Sequence, residues 1–103
     1  MTAPESFSFV RRTDGLRYLF ERDGSRHGRP AYRRTDGSVR CVWGPGVDEG
    51  WHCVLPDGLV VARPLDAPGD GPEPPATVWR SSKEGRSYLY DLRPCPGRRS
   101  SAP

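Results

Sequence analysis

The stretch of sequence that decides the fold is Trp51-His52-Cys53-Val54-Leu55-Pro56-Asp57-Gly58-Leu59-Val60-Val61-Ala62. Two apolar runs flank a Pro-Asp-Gly tripeptide, in which the proline presets φ and the glycine tolerates the left-handed conformation that a three-residue hairpin loop requires. We therefore predict a central β-hairpin with the cross-strand pairs Leu55–Leu59, Val54–Val60, Cys53–Val61 and His52–Ala62. Both faces of this hairpin are largely apolar, which is typical of strands that are buried on two sides.

A triplet of any residue, an acidic residue and glycine recurs on both sides of this hairpin. Its copies are Thr13-Asp14-Gly15, Arg22-Asp23-Gly24, Thr35-Asp36-Gly37, Asp48-Glu49-Gly50, Pro56-Asp57-Gly58 and Lys83-Glu84-Gly85. This close spacing leaves room for one short strand between most turns and none for a standard helix. The predicted fold is all-β, an antiparallel up-and-down meander of about eight short strands, closed as a small barrel or folded as a two-layer sandwich.

The remaining strands are predicted in three further hairpins, over residues 6–12 with 16–21, 30–34 with 39–43, and 76–81 with 86–92. Residues 24–28 are predicted as a loop. In the last hairpin we expect Trp79 opposite Leu89 and Arg80 opposite Tyr88. The first two hairpins echo each other, since residues 10–20 align with residues 32–43 once Ser38 is treated as an insertion. A repeat of hairpins follows from this alignment.

The chain has 103 residues, which predicts one domain over residues 1–92. Residues 66–75, rich in proline and glycine, are predicted to form an exposed linker, and residues 93–103 a disordered basic tail. The predicted core consists of large side chains on the strands: Phe7, Phe9, Tyr18, Phe20, Val42, Trp43, Trp51, Val54, Leu55, Val60, Val61, Trp79, Leu89 and Tyr90.

The formal net charge of the chain is +3. Three arginines, Arg93, Arg98 and Arg99, lie in the predicted tail, and without them the body is neutral, with 13 basic and 13 acidic residues. A neutral body argues against a protein that binds nucleic acid mainly through charge. No apolar run is long enough to cross a membrane, and the first residues lack the pattern of a secretory signal, so we expect a cytoplasmic protein without a membrane partner. Three cysteines fit reduced thiols in that compartment.

Residue types suited to catalysis or metal binding are few and badly spaced. The candidates for a metal site, Cys41, Cys53, Cys95, His27 and His52, include no pair two to four residues apart. His52 and Cys53 are adjacent in a predicted strand, so their side chains point to opposite faces and form no nucleophile and base pair. We therefore expect neither an enzyme nor a cofactor.

Arginine and aromatic residues on the first two hairpins are the candidate binding residues. They are Arg11, Arg12, Arg33, Arg34, Tyr18, Tyr32 and Trp43. Because arginine and aromatic side chains anchor many protein interfaces, the predicted function is a small interaction module that binds another protein through a β-surface or an edge strand. The alternative is binding of single-stranded nucleic acid, by phosphate contact and base stacking on the same residues. The oligomeric state stays open.

Overall fold

The all-β prediction is confirmed by the computed structural model of the chain, which describes residues 5–44, 50–65, 71–82 and 84–95. The described residues form eight strands and no helix. The strands are β1 (Ser6–Arg11), β2 (Arg17–Arg26), β3 (Arg29–Arg34), β4 (Arg40–Gly44), β5 (Gly50–Val54), β6 (Val60–Pro64), β7 (Val78–Ser81) and β8 (Leu89–Pro94). Each pairs antiparallel with its sequence neighbours, and β1 pairs with β8, so the meander closes into a barrel rather than a sandwich.

The central hairpin has the predicted loop and half of the predicted register. Leu55 N donates to Leu59 O at 2.9 Å, Val54 lies opposite Val60, and Gly58 has a φ of +93°. Beyond this point Cys53 lies opposite Ala62, so the predicted pairs Cys53–Val61 and His52–Ala62 are wrong. A β-bulge is the cause, because it adds Val61 to β6 and turns this side chain into the core.

Two other predictions are wrong, one of a strand boundary and one of a strand register. β2 runs to Arg26 and the chain reverses at His27 and Gly28, both at positive φ, so the predicted loop over residues 24–28 is mostly strand. In the last hairpin Trp79 lies opposite Tyr90 and Arg80 opposite Leu89. The connection here is longer than three residues, and the one-residue shift moves Leu89 to the outer face, where it is 37% exposed.

The core fills the barrel with aromatic rings. Phe7 stacks on Phe20 at 5.2 Å between ring centroids, and Phe9 meets Trp79 edge to face at 5.0 Å. The buried residues that the sequence predicted are Phe7, Phe9, Phe20, Val42, Trp51, Val61 and Trp79. The partly buried ones are Tyr18, Trp43, Val54, Leu55, Val60 and Tyr90, and the prediction is wrong for Leu89. Further core members are Tyr32, Cys41, Cys53 and Leu92.

Successive turns of an up-and-down barrel alternate between its two ends. The turns that follow β1, β3, β5 and β7 therefore lie at one end, which we call the mouth, and each contains an acid–glycine pair. At the opposite, closed end, Trp51 Nε1 donates to Gly71 O at 3.0 Å and Trp79 Nε1 donates to Pro75 O at 3.1 Å. These bonds fasten the segment 71–77 to the barrel.

This attachment corrects part of the predicted domain outline. Pro74 is buried whereas Pro72 and Glu73 are exposed, so residues 71–75 are only in part the exposed linker that the sequence predicted. The other half of that linker, residues 66–70, lies outside the described residues. Arg93 and Pro94 belong to β8 rather than to a tail, and the rest of the predicted tail from residue 96 also lies outside the described part.

Candidate binding site at the barrel mouth

A cavity of about 330 Å³ opens at the mouth, and we call it the cup. Its floor is the top of the core: Phe9, Phe20, Cys53, Val61 and Trp79. Its wall is formed by Tyr18, Val39, Leu55, Ala62 and Tyr90. Polar and charged groups form its rim: Arg11, Arg34, Ser81, Glu84, Arg86 and Tyr88. The cup is therefore apolar and aromatic inside, with a charged edge.

Arg11 is held on the rim by three groups. Its Nε and Nη2 donate to the two carboxylate oxygens of Asp14 at 3.0 and 2.8 Å, and its guanidinium lies 4.5 Å from the centre of the Tyr88 ring. The Tyr90 hydroxyl lies close to the same guanidinium. Hydrogen bonds from Arg11 and from the backbone N–H of Leu16 lower the pKa of Asp14 to about 2. The carboxylate therefore stays charged and keeps the arginine in place.

Arg34 lines the cup from β3, in a setting similar to that of Arg11. Its Nε donates to Asp36 Oδ1 at 2.7 Å, and its guanidinium lies 4.8 Å from the centre of the Tyr18 ring. Among the described residues its two terminal nitrogens have no hydrogen-bond partner, and the side chain is 28% exposed. This guanidinium is therefore ordered and still has donors to offer.

The turn geometry determines which arginines of the two Arg-Arg pairs reach the cup. Arg11 N bonds to Leu16 O and Arg34 N bonds to Val39 O, so each hairpin has a four-residue loop. In the second hairpin Ser38 takes the last loop position. The Arg-Arg-Thr-Asp-Gly sequence therefore begins one position earlier relative to the loop than it does in the first hairpin. The inward residue is therefore the first arginine of the first hairpin and the second arginine of the second hairpin.

The other predicted binding residues lie elsewhere. On the outer wall Arg12 pairs with Asp91 at 3.0 Å, and Arg33 lies 3.7 Å from Asp23. Tyr32 is completely buried in the core and offers no surface. Thus Arg11, Tyr18 and Arg34 meet at the mouth, and the remaining four predicted residues join no common surface with them.

Trp43, the last of the predicted binding residues, lies towards the closed end. The guanidinium of Arg29 stacks on its ring at 3.8 Å, and the His27 ring is 6.3 Å away. Arg29 Nε also donates to Gly71 O, so this stack is part of the closure rather than of the cup.

Sequence reasoning missed the part of the cup that comes from the last hairpin. Tyr88 and Tyr90 project inward with Leu92, in the alternation that a correct register predicts. Arg86 and Glu84 stand on the preceding turn, and neither has an ion-pair partner within the described part of the chain. The positive φ of Glu84 shapes this turn and was not visible in the sequence.

The cysteine and histidine side chains supply no rim group, although Cys53 lies in the floor of the cup. Cys41 and Cys53 are buried opposite each other on β4 and β5, and burial raises the pKa of the Cys41 thiol. His52 Nδ1 lies 3.0 Å from Gly50 O and faces away from the core that contains Cys53. Within residues 5–44, 50–65, 71–82 and 84–95 there is no cluster of three or more potential metal ligands and no helix able to span a membrane.

Comparisons with protein-family models, with curated proteins and with solved structures give no match to this chain.

Proposed function

We propose that this chain is a small, non-enzymatic interaction module that binds another protein at the barrel mouth. One observation carries the proposal: the mouth brings arginine and tyrosine side chains together around a concave apolar site. Such residues around a pocket are typical of the few positions that dominate binding energy at protein interfaces. The partner would insert a projecting side chain or a chain end into the cup.

Of the two modes that the sequence predicted, a β-surface fits the barrel better than an edge strand. Each described strand pairs with two neighbours, so the strands of the closed barrel leave little free edge for strand addition. The mouth offers such a surface, because its concave cup combines apolar and aromatic side chains with arginines on the rim.

Binding of single-stranded nucleic acid is the second candidate, favoured by the stacks of Arg11 on Tyr88 and Arg34 on Tyr18. All four arginines that suggested it have a carboxylate within 4.0 Å, and these acids reduce the attraction for phosphate. We therefore rank this function below protein binding.

A capture experiment from a lysate of the producing cells separates the two candidates. The tagged chain is used with and without nuclease, beside a mouth variant, Arg34→Glu with Arg86→Glu, and a control, Arg33→Glu with Arg80→Glu, on the outer wall. We expect a protein that survives nuclease and high salt, is lost with the mouth variant and is retained by the control.

Two outcomes contradict the proposal. If the mouth variant still captures the protein, that protein binds at another surface. Nucleic acid recovered without any nuclease-resistant protein, with an affinity that falls steeply as salt rises, favours the second candidate.

A further inference from the structure

We infer that the cup binds a group in which a carboxylate lies close to an aromatic ring, with the ring inside the cup and the carboxylate at the arginine rim. This inference rests on the proposed function, since it names the chemical group that the proposed site accepts. Two sources supply that group: the free carboxyl end of a protein that ends in an aromatic residue, or a small aromatic acid.

The cup is large enough to hold a small bound group. Ligand sites of about 300–1,000 Å³ are common. At 330 Å³ the cup falls at the small end of that range. The cup has room for one aromatic ring system but not for a helix or strand of a partner.

The interior of the cup favours a flat apolar group. Tyr18 and Tyr90 lie on the two strands that flank β1 and form one side of the wall, with their ring centroids 6.1 Å apart, and Trp79 lies in the floor. Aromatic pairs favour edge-to-face or offset contacts at centroid separations of about 4.5–7 Å. An inserted ring can therefore pack against the tyrosine pair on one side and against Trp79 in the floor.

The rim favours an anion, because the hydrogen-bond donors of its arginines are already held in place. Asp14 and the Tyr88 ring hold one guanidinium, and Asp36 and the Tyr18 ring hold a second. Ordered guanidinium groups bind planar carboxylates well, because little side-chain freedom is lost on binding. The terminal nitrogens of Arg34 can donate to such a carboxylate, because they have no hydrogen-bond partner among the described residues.

The charge balance at the mouth selects a carboxylate over a phosphate monoester. The cup lining includes three guanidinium groups and one carboxylate, that of Glu84. Asp14 and Asp36 neutralise two of those cations from outside the cup. Together with Glu84 these acids balance the three guanidinium groups, so a single negative charge at the rim meets less repulsion from the carboxylates than the two charges of a phosphate monoester would.

Calorimetric titration of the full chain with matched probes tests the inference. The small-molecule probes are 2-naphthoate, its neutral carboxamide and 2-naphthyl phosphate. The chain-end probes are the peptide Gly-Gly-Ala-Phe with a free carboxylate and the same peptide as a C-terminal amide. The protein variants are Arg34→Gln and, as the neighbour on the outer wall, Arg33→Gln, both checked for folding by circular dichroism.

We expect each carboxylate to bind at least about tenfold more tightly than its amide, and Arg34→Gln to remove that preference while Arg33→Gln keeps it. Binding of the naphthoate alone, without the peptide, supports the carboxylate inference and contradicts a protein chain end as the occupant. Equal binding of acid and amide, tighter binding of the phosphate, or no binding of either acid overturns the inference. The capture experiment with the mouth variant then still decides the proposed function.

Discussion

Tryptophan closes one end of the barrel and tyrosine lines the other. At the closed end the indole N–H groups of Trp51 and Trp79 donate to backbone carbonyls of the segment 71–77. At the mouth the rings of Tyr18 and Tyr88 remain partly exposed beneath arginine side chains. The aromatic residues at the closed end thus stabilise the fold, whereas those at the mouth stay partly accessible to solvent. We therefore expect a substitution at the closed end to lower the free energy of unfolding more than the matched substitution at the mouth.

The largest effect is expected for Trp51→Ala, which removes a side chain that is 1% exposed and leaves a cavity. Such substitutions cost about 3–5 kcal/mol of the free energy of unfolding. The counterpart at the mouth, Tyr88→Ala, is expected to cost about 1 kcal/mol or less, because its side chain is already partly hydrated. Urea unfolding of both variants measures the difference, and equal losses would remove the distinction between the two ends.

The stability of the protein at alkaline pH tests whether the barrel interior excludes water. Burial raises the pKa of Tyr32 to about 12, whereas its unfolded counterpart ionises near pH 10. The stability that comes from keeping this phenol neutral is present in full below about pH 10 and is lost by about pH 12, a change of roughly 2–3 kcal/mol.

The measurement is the free energy of unfolding between about pH 8 and 12, the range in which phenols titrate. We expect Tyr32→Phe to show a shallower decline than the wild type between about pH 10 and 12. Cys41, whose thiol pKa is also raised by burial, contributes a decline of the same sign in both proteins. An unchanged slope in the variant would mean that water reaches Tyr32.

The stacked arginines at the two ends offer a closer comparison. Arg29 lies 3.8 Å from the centre of the Trp43 ring and donates to Gly71 O, whereas Arg34 lies 4.8 Å from the Tyr18 ring. We expect Arg29→Gln to lower the free energy of unfolding by about 1–2 kcal/mol and Arg34→Gln by about 0.5 kcal/mol. Chemical denaturation gives both values, and the reverse order would contradict a structural role for the first stack.

The smallest effect on stability is expected at acidic pH, from the ion pair of Asp14 with Arg11 at the mouth. Asp14, with a pKa of about 2 in the folded chain, stabilises the fold above about pH 4. That contribution is lost as the pH falls through about 2. Carboxyl NMR should give a midpoint of about 2 for Asp14, and Arg11→Gln should raise it towards the ordinary value. A midpoint that does not move would show that the ion pair is absent in solution.

Local turn chemistry made much of the fold predictable from the sequence. The glycine at the tip of the central hairpin has the required positive φ, and the acid–glycine spacing leads to the correct number of strands. The registers beyond the turns were less predictable, because the bulge at Val61 and the long connection before Leu89 depend on packing across the barrel. Each shift changes which face of a strand turns inward.

The same limit applies to the cup. Arg11 and Tyr18 were found as candidate residues, but the choice of Arg34 over Arg33 depends on a loop length that only the hydrogen bonds reveal. The sequence predicts Tyr32 as a binding residue because it lies on the same hairpin as two arginines, although its position in β3 turns it into the core. Contacts of segment 71–77 with two indoles leave no pattern in the sequence at all.

The pairing of β1 with β8 has a consequence for synthesis on the ribosome. The contact between Arg12 and Asp91 joins residues that are 79 positions apart, so the barrel seam forms among the last contacts of a growing chain. Until then β1 exposes an unpaired backbone edge, and Phe7 and Phe9 lack the cover of Leu92. Such an intermediate is prone to aggregation, and the nascent chain would need shielding until its eighth strand emerges.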